Sequence, residues 1–371
     1  MQTRVIRASS DAEVVQAAKE GAAVLAGGGL VGFATETVYG VGAVADNVEA
    51  MERLRDLKDR PQRPFSVHLA KPGDEARYVR RLPPTATRLI AKAWPGPLTL
   101  LVGLDGRLAD DKVQSAGLYG VLAWEDFIGL RCPDCPVASA MLAAVDRPVV
   151  APSANRTGAP SPRTAEDVLA GLDGQIDLLI DSGPTRYGLD STIVRIDADG
   201  WKIVREGVVS AERIQRLLRK TILFVCTGNT CRSPIAAGLA RKRLAERIGC
   251  KAGQLEREGY EVLSAGIVAA QDAPASPEAV SAAGGLGADI SSHRSRKITA
   301  ELINHADLIF CMTDVHIAEV LRLAPAAAGK VARLWDGGDI PDPIGEGPNV
   351  YRDTAERIDL ALRSIFKERP L

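Results

Sequence analysis

Ten residues, Val225-Cys226-Thr227-Gly228-Asn229-Thr230-Cys231-Arg232-Ser233-Pro234, set a thiol and a guanidinium in a short loop with five residues between them. The apolar stretch from Thr221 to Val225 reads as a buried strand that delivers Cys226 at its end. The stretch from Pro234 onward has helical composition, with Ser233 the expected N-cap and Pro234 the first helical residue. The loop residues Thr227, Gly228, Asn229, Thr230 and Cys231 then face a helix N-terminus. Backbone N–H groups and the helix dipole there favour a tetrahedral anion. Arg232 can grip two phosphate oxygens through its planar fork. The same field is expected to lower the Cys226 thiol from about 8.5 toward roughly 3.5–7.5, leaving a thiolate at neutral pH. Gly228 is expected to allow the tight turn, and Asn229 to tie the loop to itself.

A sulfur nucleophile on phosphorus needs an acid for the leaving group. Asp342, before Pro343 in a Gly/Pro-rich run, is the expected donor, with Asp336 and Asp339 as rivals on spacing. Cys226, Arg232, Asp342 and Ser233 are thus the expected catalytic set. Cys231 is placed to form a reversible disulfide with Cys226, or else simply fills the loop.

Residues 221–371 resemble the low-molecular-weight protein tyrosine phosphatases. The pieces that carry the resemblance are the Cys226–Pro234 loop, Ser264-Ala265-Gly266, the run from Gly287 to Arg294, the run from Ala306 to Met312, and Asp342-Pro343. The resemblance implies a doubly wound parallel sheet and a cysteinyl-phosphate intermediate. It implies Cys226 as nucleophile, Arg232 as phosphate ligand, Ser233 as thiolate stabiliser and Asp342 as acid, with no metal or cofactor. Thr230 is similar to the residue in members that act on phosphoarginine. Ile344, Gly345 and Glu346 stand where tyrosine-directed members carry aromatic residues. The loop is shared with thiol-dependent arsenate reductases, for which Cys311 would be the relay cysteine.

The first 220 residues carry other chemistry. Val31 to Gly42 reads as a strand and a Gly-punctuated turn holding Thr35, Glu36 and Thr37. A helix is expected from Asn47 to Leu57, then Lys58 and Arg60 in a basic turn, then a strand from Phe65 to Ala70. Two cations in a turn suit a polyphosphate, although a solvated basic turn is the plainer reading of the spacing. Trp94 to Leu100, Leu130 to Asp134, Ala151 to Gly158 and Gly188 to Arg195 are further strand ends or turns. Most bear hydroxyl or amide side chains suited to phosphate and carboxylate.

In their order, these segments resemble the YrdC-like threonylcarbamoyl-AMP synthases from about residue 10 to about residue 210. The resemblance implies a twisted, mixed-sheet α/β domain with a large basic cavity. It implies a reaction joining L-threonine, bicarbonate and ATP, with Mg²⁺ accompanying the nucleotide. A tRNA-modification transferase complex would receive the product. By motif, Lys58, Arg60, Asn155 and Arg205 would hold ATP. Thr35, His68, Arg131, Ser153 and Ser191 would hold threonine or the carbamate. Arg63 stands where that family usually has asparagine.

At 371 residues two domains are expected, drawn at 1–215 and 220–371. A single amphipathic helix from Val208 to Lys220 is the expected join. The net charge of −1 argues against strong direct nucleic-acid binding. No apolar run suggests a membrane span or signal peptide. Six cysteines in a chain this long suggest a reducing cytoplasm rather than a disulfide framework. Cys132 and Cys135 form a lone Cys-x-x-Cys with no second pair for zinc, so no metal site is expected. The resulting reading is a bifunctional cytoplasmic α/β enzyme, synthase then phosphatase, acting on small molecules and on a phosphorylated protein. Its competitors are a non-catalytic regulatory role for one half, and arsenate reduction by the C-terminal half.

Overall fold

The computed structural model describes residues 2–59, 64–197 and 200–368. The chain folds as two compact units, Met1–Leu217 and Leu218–Leu371.

The first unit is built on one mixed sheet. Its strands are β1 (Arg4–Arg7), β2 (Val31–Ala34), β3 (Tyr39–Val44), β4 (Val67–His68), β5 (Leu98–Gly103), β6 (Ala123–Trp124), β7 (Phe127–Arg131), β8 (Val149–Val150), β9 (Leu178–Asp181), β10 (Thr192–Asp197) and β11 (Gly200–Arg205). They run in the order β1-β9-β2-β3-β8-β4-β7-β5-β10-β11, with β6 paired to β7. Every residue of β2 and β3 is buried, which explains their unbroken small and apolar sequence. Helix Asp11–Ala26 packs on helix Pro136–Ala144 through Ala17, Ala18, Ala22 and Leu25 against Val137, Ala138, Met141 and Leu142. The pair covers Phe33, Val44 and Ile180 of the sheet. Helix Val48–Leu57 begins at the expected Asn47 cap, whose side chain accepts the Ala50 N–H.

Two expectations change here. The strand expected over Phe65 to Ala70 is only two residues long, because its antiparallel partner β8 lies between Pro148 and Pro152 and offers no more. The joining helix spans only Ala211–Leu218. Val208 and Val209 donate their N–H groups to Asp190 O and Thr192 Oγ1 instead, and Lys220 already belongs to the next strand.

The second unit has a four-stranded parallel sheet, β12 (Lys220–Cys226), β13 (Tyr260–Gly266), β14 (Leu308–Cys311) and β15 (Val331–Arg333), in the order β13-β12-β14-β15. Side chains alternate along β12. Ile222, Phe224 and Cys226 face a core shared with helices Arg232–Ile248 and Pro348–Glu368. Leu223 and Val225 face the opposite core, with Cys311, Ile303 and Val320. Cys226 therefore emerges at the carboxyl end of a central strand, where open parallel sheets place ligands.

Candidate active sites

The loop after β12 wraps around the Cys226 sulfur. Ser233 Oγ lies 2.9 Å from Sγ, and the Asn229 N–H donates to it across 3.2 Å. Ser233 is not the N-cap expected from its sequence position. The helix starts at Arg232, after Cys231, because the Ser233 hydroxyl is committed to the sulfur and to Asn229. Nor does Gly228 make the turn, since its φ is not positive and a Cβ would sit an ordinary 3.5 Å from Thr230 Oγ1. Asn229 makes it, at φ 55°. Its Nδ2 donates to Ser233 Oγ and Ser264 Oγ, each at 2.9 Å, and its Oδ1 accepts the Arg296 N–H. Gly266 is required by close approach, because a Cβ there would lie 2.5 Å from Thr227 O.

Arg232 is buried. Nη1 donates to Ile340 O at 3.0 Å, and Nη2 donates to Thr227 Oγ1 at 3.1 Å and also pairs with the Asp342 carboxylate. Of its rivals, Asp339 instead accepts the Asp314 N–H and faces Arg333. Enclosure of the sulfur pushes the Cys226 thiol up, while bonds from Ser233, the Arg232 charge and the Asn229 N–H pull it back down. Arg232 is answered by Asp342, which weakens its hold on the sulfur.

Several neighbours escape a sequence reading. His316, 2% exposed, lies with Nε2 3.1 Å from Thr227 Oγ1 and Nδ1 2.8 Å from Thr313 Oγ1. Burial, then the Arg232 charge, pushes it down to about 4, so it is neutral. The Cys231 sulfur is met by Tyr351 OH at 3.4 Å and by Ser276 Oγ at 3.5 Å. At the rim, Val268 and Ile344 are 73% and 68% exposed. Val268 is tied to the loop by its N–H on Thr227 O, and Ile344 by its N–H on Asp342 Oδ1.

The first unit encloses a cavity of about 700 Å³ lined by Lys58, His68, Arg131, Ser153, Asn155, Ser191 and Arg205. Thr35 stands behind Arg131. Arg60 and Arg63 lie outside the described residues. Lys58 is not in a solvated turn. It is buried, and Nζ donates to Ser153 O at 2.9 Å, Asn155 O at 2.6 Å and Asn155 Oδ1 at 2.8 Å. Arg131 Nη2 donates to Thr37 Oγ1 at 2.7 Å, Glu36 Oε1 at 3.0 Å and Thr35 Oγ1 at 3.2 Å. Its Nε is buried with no hydrogen-bond partner among the described residues. Glu36 also accepts the Asp134 N–H. Burial and Arg131 push His68 down to about 3, so it is neutral. Ser191 Oγ lies 3.0 Å from Thr99 Oγ1 and accepts from Arg205 Nη2 at 3.1 Å. The Arg195 guanidinium carbon sits over the Phe127 ring, 3.9 Å from its centroid, and adds a cation to the wall. Glu36 and Arg195 both stand inside motifs quoted above, but nothing in their spacing assigns them a role.

The two sites correspond to two family models. One, Sua5/YciO/YrdC, described as telomere recombination, matches residues 23–207. The other, low molecular weight phosphotyrosine protein phosphatase, matches residues 221–369. A probable low molecular weight protein-tyrosine-phosphatase, EpsP of Ralstonia nicotianae, is 38% identical over 141 residues, covering 38% of this chain and 88% of that protein. Over residues 221–369 the chain belongs to the low molecular weight phosphotyrosine protein phosphatase family. The threonylcarbamoyl-AMP synthase of Bacillus subtilis is 33% identical over 232 residues, 62% of this chain and 64% of the relative. This chain spans between 49% and 64% of the length of three such synthases. A solved structure of a doubly substituted Sua5 from P. abyssi shares the fold, with a TM-score of 0.50 at 24% identity, covering 72% of this chain and 91% of that one. Among the described residues no helix is long and apolar enough to cross a membrane, and no three His, Cys, Asp or Glu side chains gather as for a metal ion.

Proposed function

We propose that the chain is a bifunctional cytoplasmic enzyme. Residues 1–215 make L-threonylcarbamoyl-adenylate, and residues 220–371 remove phosphoryl groups from protein side chains. One observation carries the second activity: Cys226, Ser233, Arg232 and Asp342 meet in one loop-and-acid arrangement.

In the synthase reading, the threonine nitrogen joins bicarbonate with loss of water. The resulting carbamate oxygen attacks the α-phosphorus of ATP, and pyrophosphate leaves. Arg131 takes the threonine carboxylate, with its unpartnered Nε available as a donor. Thr35, His68, Ser153 and Ser191 orient the amine and carbamate. Lys58, Asn155 and Arg205 line the cavity on the side assigned to the phosphates, and Arg60 is assigned to them by motif alone. Mg²⁺ would accompany the triphosphate and neutralise part of its charge, with no dedicated protein cage required. Positioning and charge neutralisation do the catalysis, since no protein nucleophile is required. A tRNA-modification transferase complex would consume the product.

In the phosphatase reading, the phosphoryl group displaces Asp342 from Arg232. Burial raises the Cys226 thiol and Asp342 faces Arg232, whereas the reaction needs a thiolate and a carboxylic acid. One proton moved from Cys226 to Asp342 as the phosphoryl group seats satisfies both. The sulfur then attacks phosphorus, and Asp342 protonates the departing oxygen or nitrogen. Water then attacks the cysteinyl-phosphate while Asp342 accepts a proton from it, releasing inorganic phosphate and the Cys226 thiolate. Thr230 and the aliphatic rim of Val268 and Ile344 favour the methylene stem of phosphoarginine over the flat ring of phosphotyrosine. Phosphate release from the two side by side, with Cys226→Ser as the blank, tests this. Faster release from phosphoarginine is expected, and faster release from phosphotyrosine would reverse the substrate assignment. Arsenate reduction is disfavoured, because Cys311 lies in the core on the opposite sheet face, its thiol pushed up to about 12 by burial.

A further inference from the structure

We propose that His316 is a positioning residue for phosphoryl transfer, fixing Thr227 so that Thr227 holds the Arg232 guanidinium in the loop; this rests on the phosphatase reading. Arginine can only donate hydrogen bonds, so Thr227 Oγ1 is the acceptor in its 3.1 Å bond from Nη2. The hydroxyl still has its O–H to donate and a second lone pair to accept with, so His316 Nε2 can pair with it at 3.1 Å in either ring tautomer. The other ring nitrogen is anchored on Thr313 at 2.8 Å, and the ring is buried, so its place is set by its own helix, Asp314–Leu323.

The importance of this contact follows from what Asp342 must do. Arg232 Nη2 has two partners, Thr227 and Asp342. Asp342 gives up the arginine when it turns to protonate the leaving group. Ile340 O holds only Nη1. Thr227 is then the protein contact that keeps Nη2 from swinging out of plane during the transfer. A threonine without His316 is free to change its χ1 rotamer, and the bidentate grip on two phosphoryl oxygens goes with it.

The probe is inorganic phosphate as a competitive inhibitor, since it presents the phosphoryl group alone. His316→Phe keeps the ring volume and removes both nitrogens, whereas His316→Gln returns an amide near the position of Nε2. The phosphate Ki is expected to rise about tenfold in His316→Phe, with a similar fall in kcat, and to return to within about threefold of wild type in His316→Gln. In a Thr227→Val background His316→Phe is expected to change Ki by less than about twofold, because the path to Arg232 is already cut. If the Phe variant does not fold, His316→Asn, whose amide stops short of Thr227, takes its place. An unchanged Ki in His316→Phe, a Gln variant as impaired as Phe, or the same loss in the Thr227→Val background would each overturn the assignment. A folded wild-type enzyme that releases phosphate from neither phosphoarginine nor p-nitrophenyl phosphate would overturn the phosphatase reading itself.

Discussion

Arg131 and Arg232 are both buried arginines facing an internal carboxylate, and the two carboxylates differ in what they can do. Glu36, its side chain 1% exposed, is also tied to the Asp134 N–H, so it is a fixed anchor that leaves the remaining Arg131 donors for a substrate. Asp342, its side chain 37% exposed in a loop, can leave Arg232 and act as an acid. Replacing Asp342 with Asn is expected to lower kcat on phosphoarginine or phosphotyrosine by roughly 10²–10⁴, read by steady-state phosphate release. A variant retaining most of its kcat would return Asp336 or Asp339 to consideration. Cys226, Arg232 and Ser233 are legible in sequence because they share one loop. His316 is not, since it reaches Thr227 across 89 residues. The thiol's protonation is also hidden, because it depends on enclosure and on Asp342 far along the chain.

At the scale of elements, the acid loop is braced from below. Arg357 stacks on the Trp335 indole at 4.8 Å, and a Cβ on Gly337 would lie 2.5 Å from the same ring. Gly337→Ala must therefore shift the loop that carries Asp342. A fall in kcat of roughly tenfold to hundredfold is expected without unfolding, checked by kinetics beside a thermal melt. The helix Pro348–Glu368 is pinned to helix Arg232–Ile248 by Asp359, which accepts from Arg243 Nη2 at 2.7 Å and Arg363 Nε at 3.0 Å. Burial raises the Asp359 carboxyl, but bonds from these two arginines outweigh it and hold the group below its ordinary value. Its contribution is therefore present above the unfolded value near 3.9 and is lost as pH falls through the folded value. Asp359→Asn is expected to cost about 2 kcal/mol at pH 7 and much less at acid pH, measured by urea unfolding at both. An equal loss at both pH values would show that the carboxylate charge is not the cause. The strand before Cys226, the strand from Val31 and the helix Val48–Leu57 are legible from apolar runs and caps. Element ends shift where a distant partner decides, as β8 does for β4 and Thr192 does for Val209.

At the scale of the whole molecule, the division near residue 220 is legible because each half carries its own ordered run of motifs. Each unit also has its own sheet and core. The cavity is less legible, since Lys58, Arg131 and Arg205 come from separate strands and turns that only the sheet order brings together. The central claim is that one chain holds two working sites. It is tested most directly by assaying wild type, Lys58→Ala and Cys226→Ser for pyrophosphate release with threonine, bicarbonate and ATP, and for phosphate release from a phosphorylated peptide. The account predicts that wild type does both, that Lys58→Ala loses only the first by at least about tenfold, and that Cys226→Ser loses only the second. Absence of either activity in folded wild type would contradict it and assign that half a regulatory or binding role.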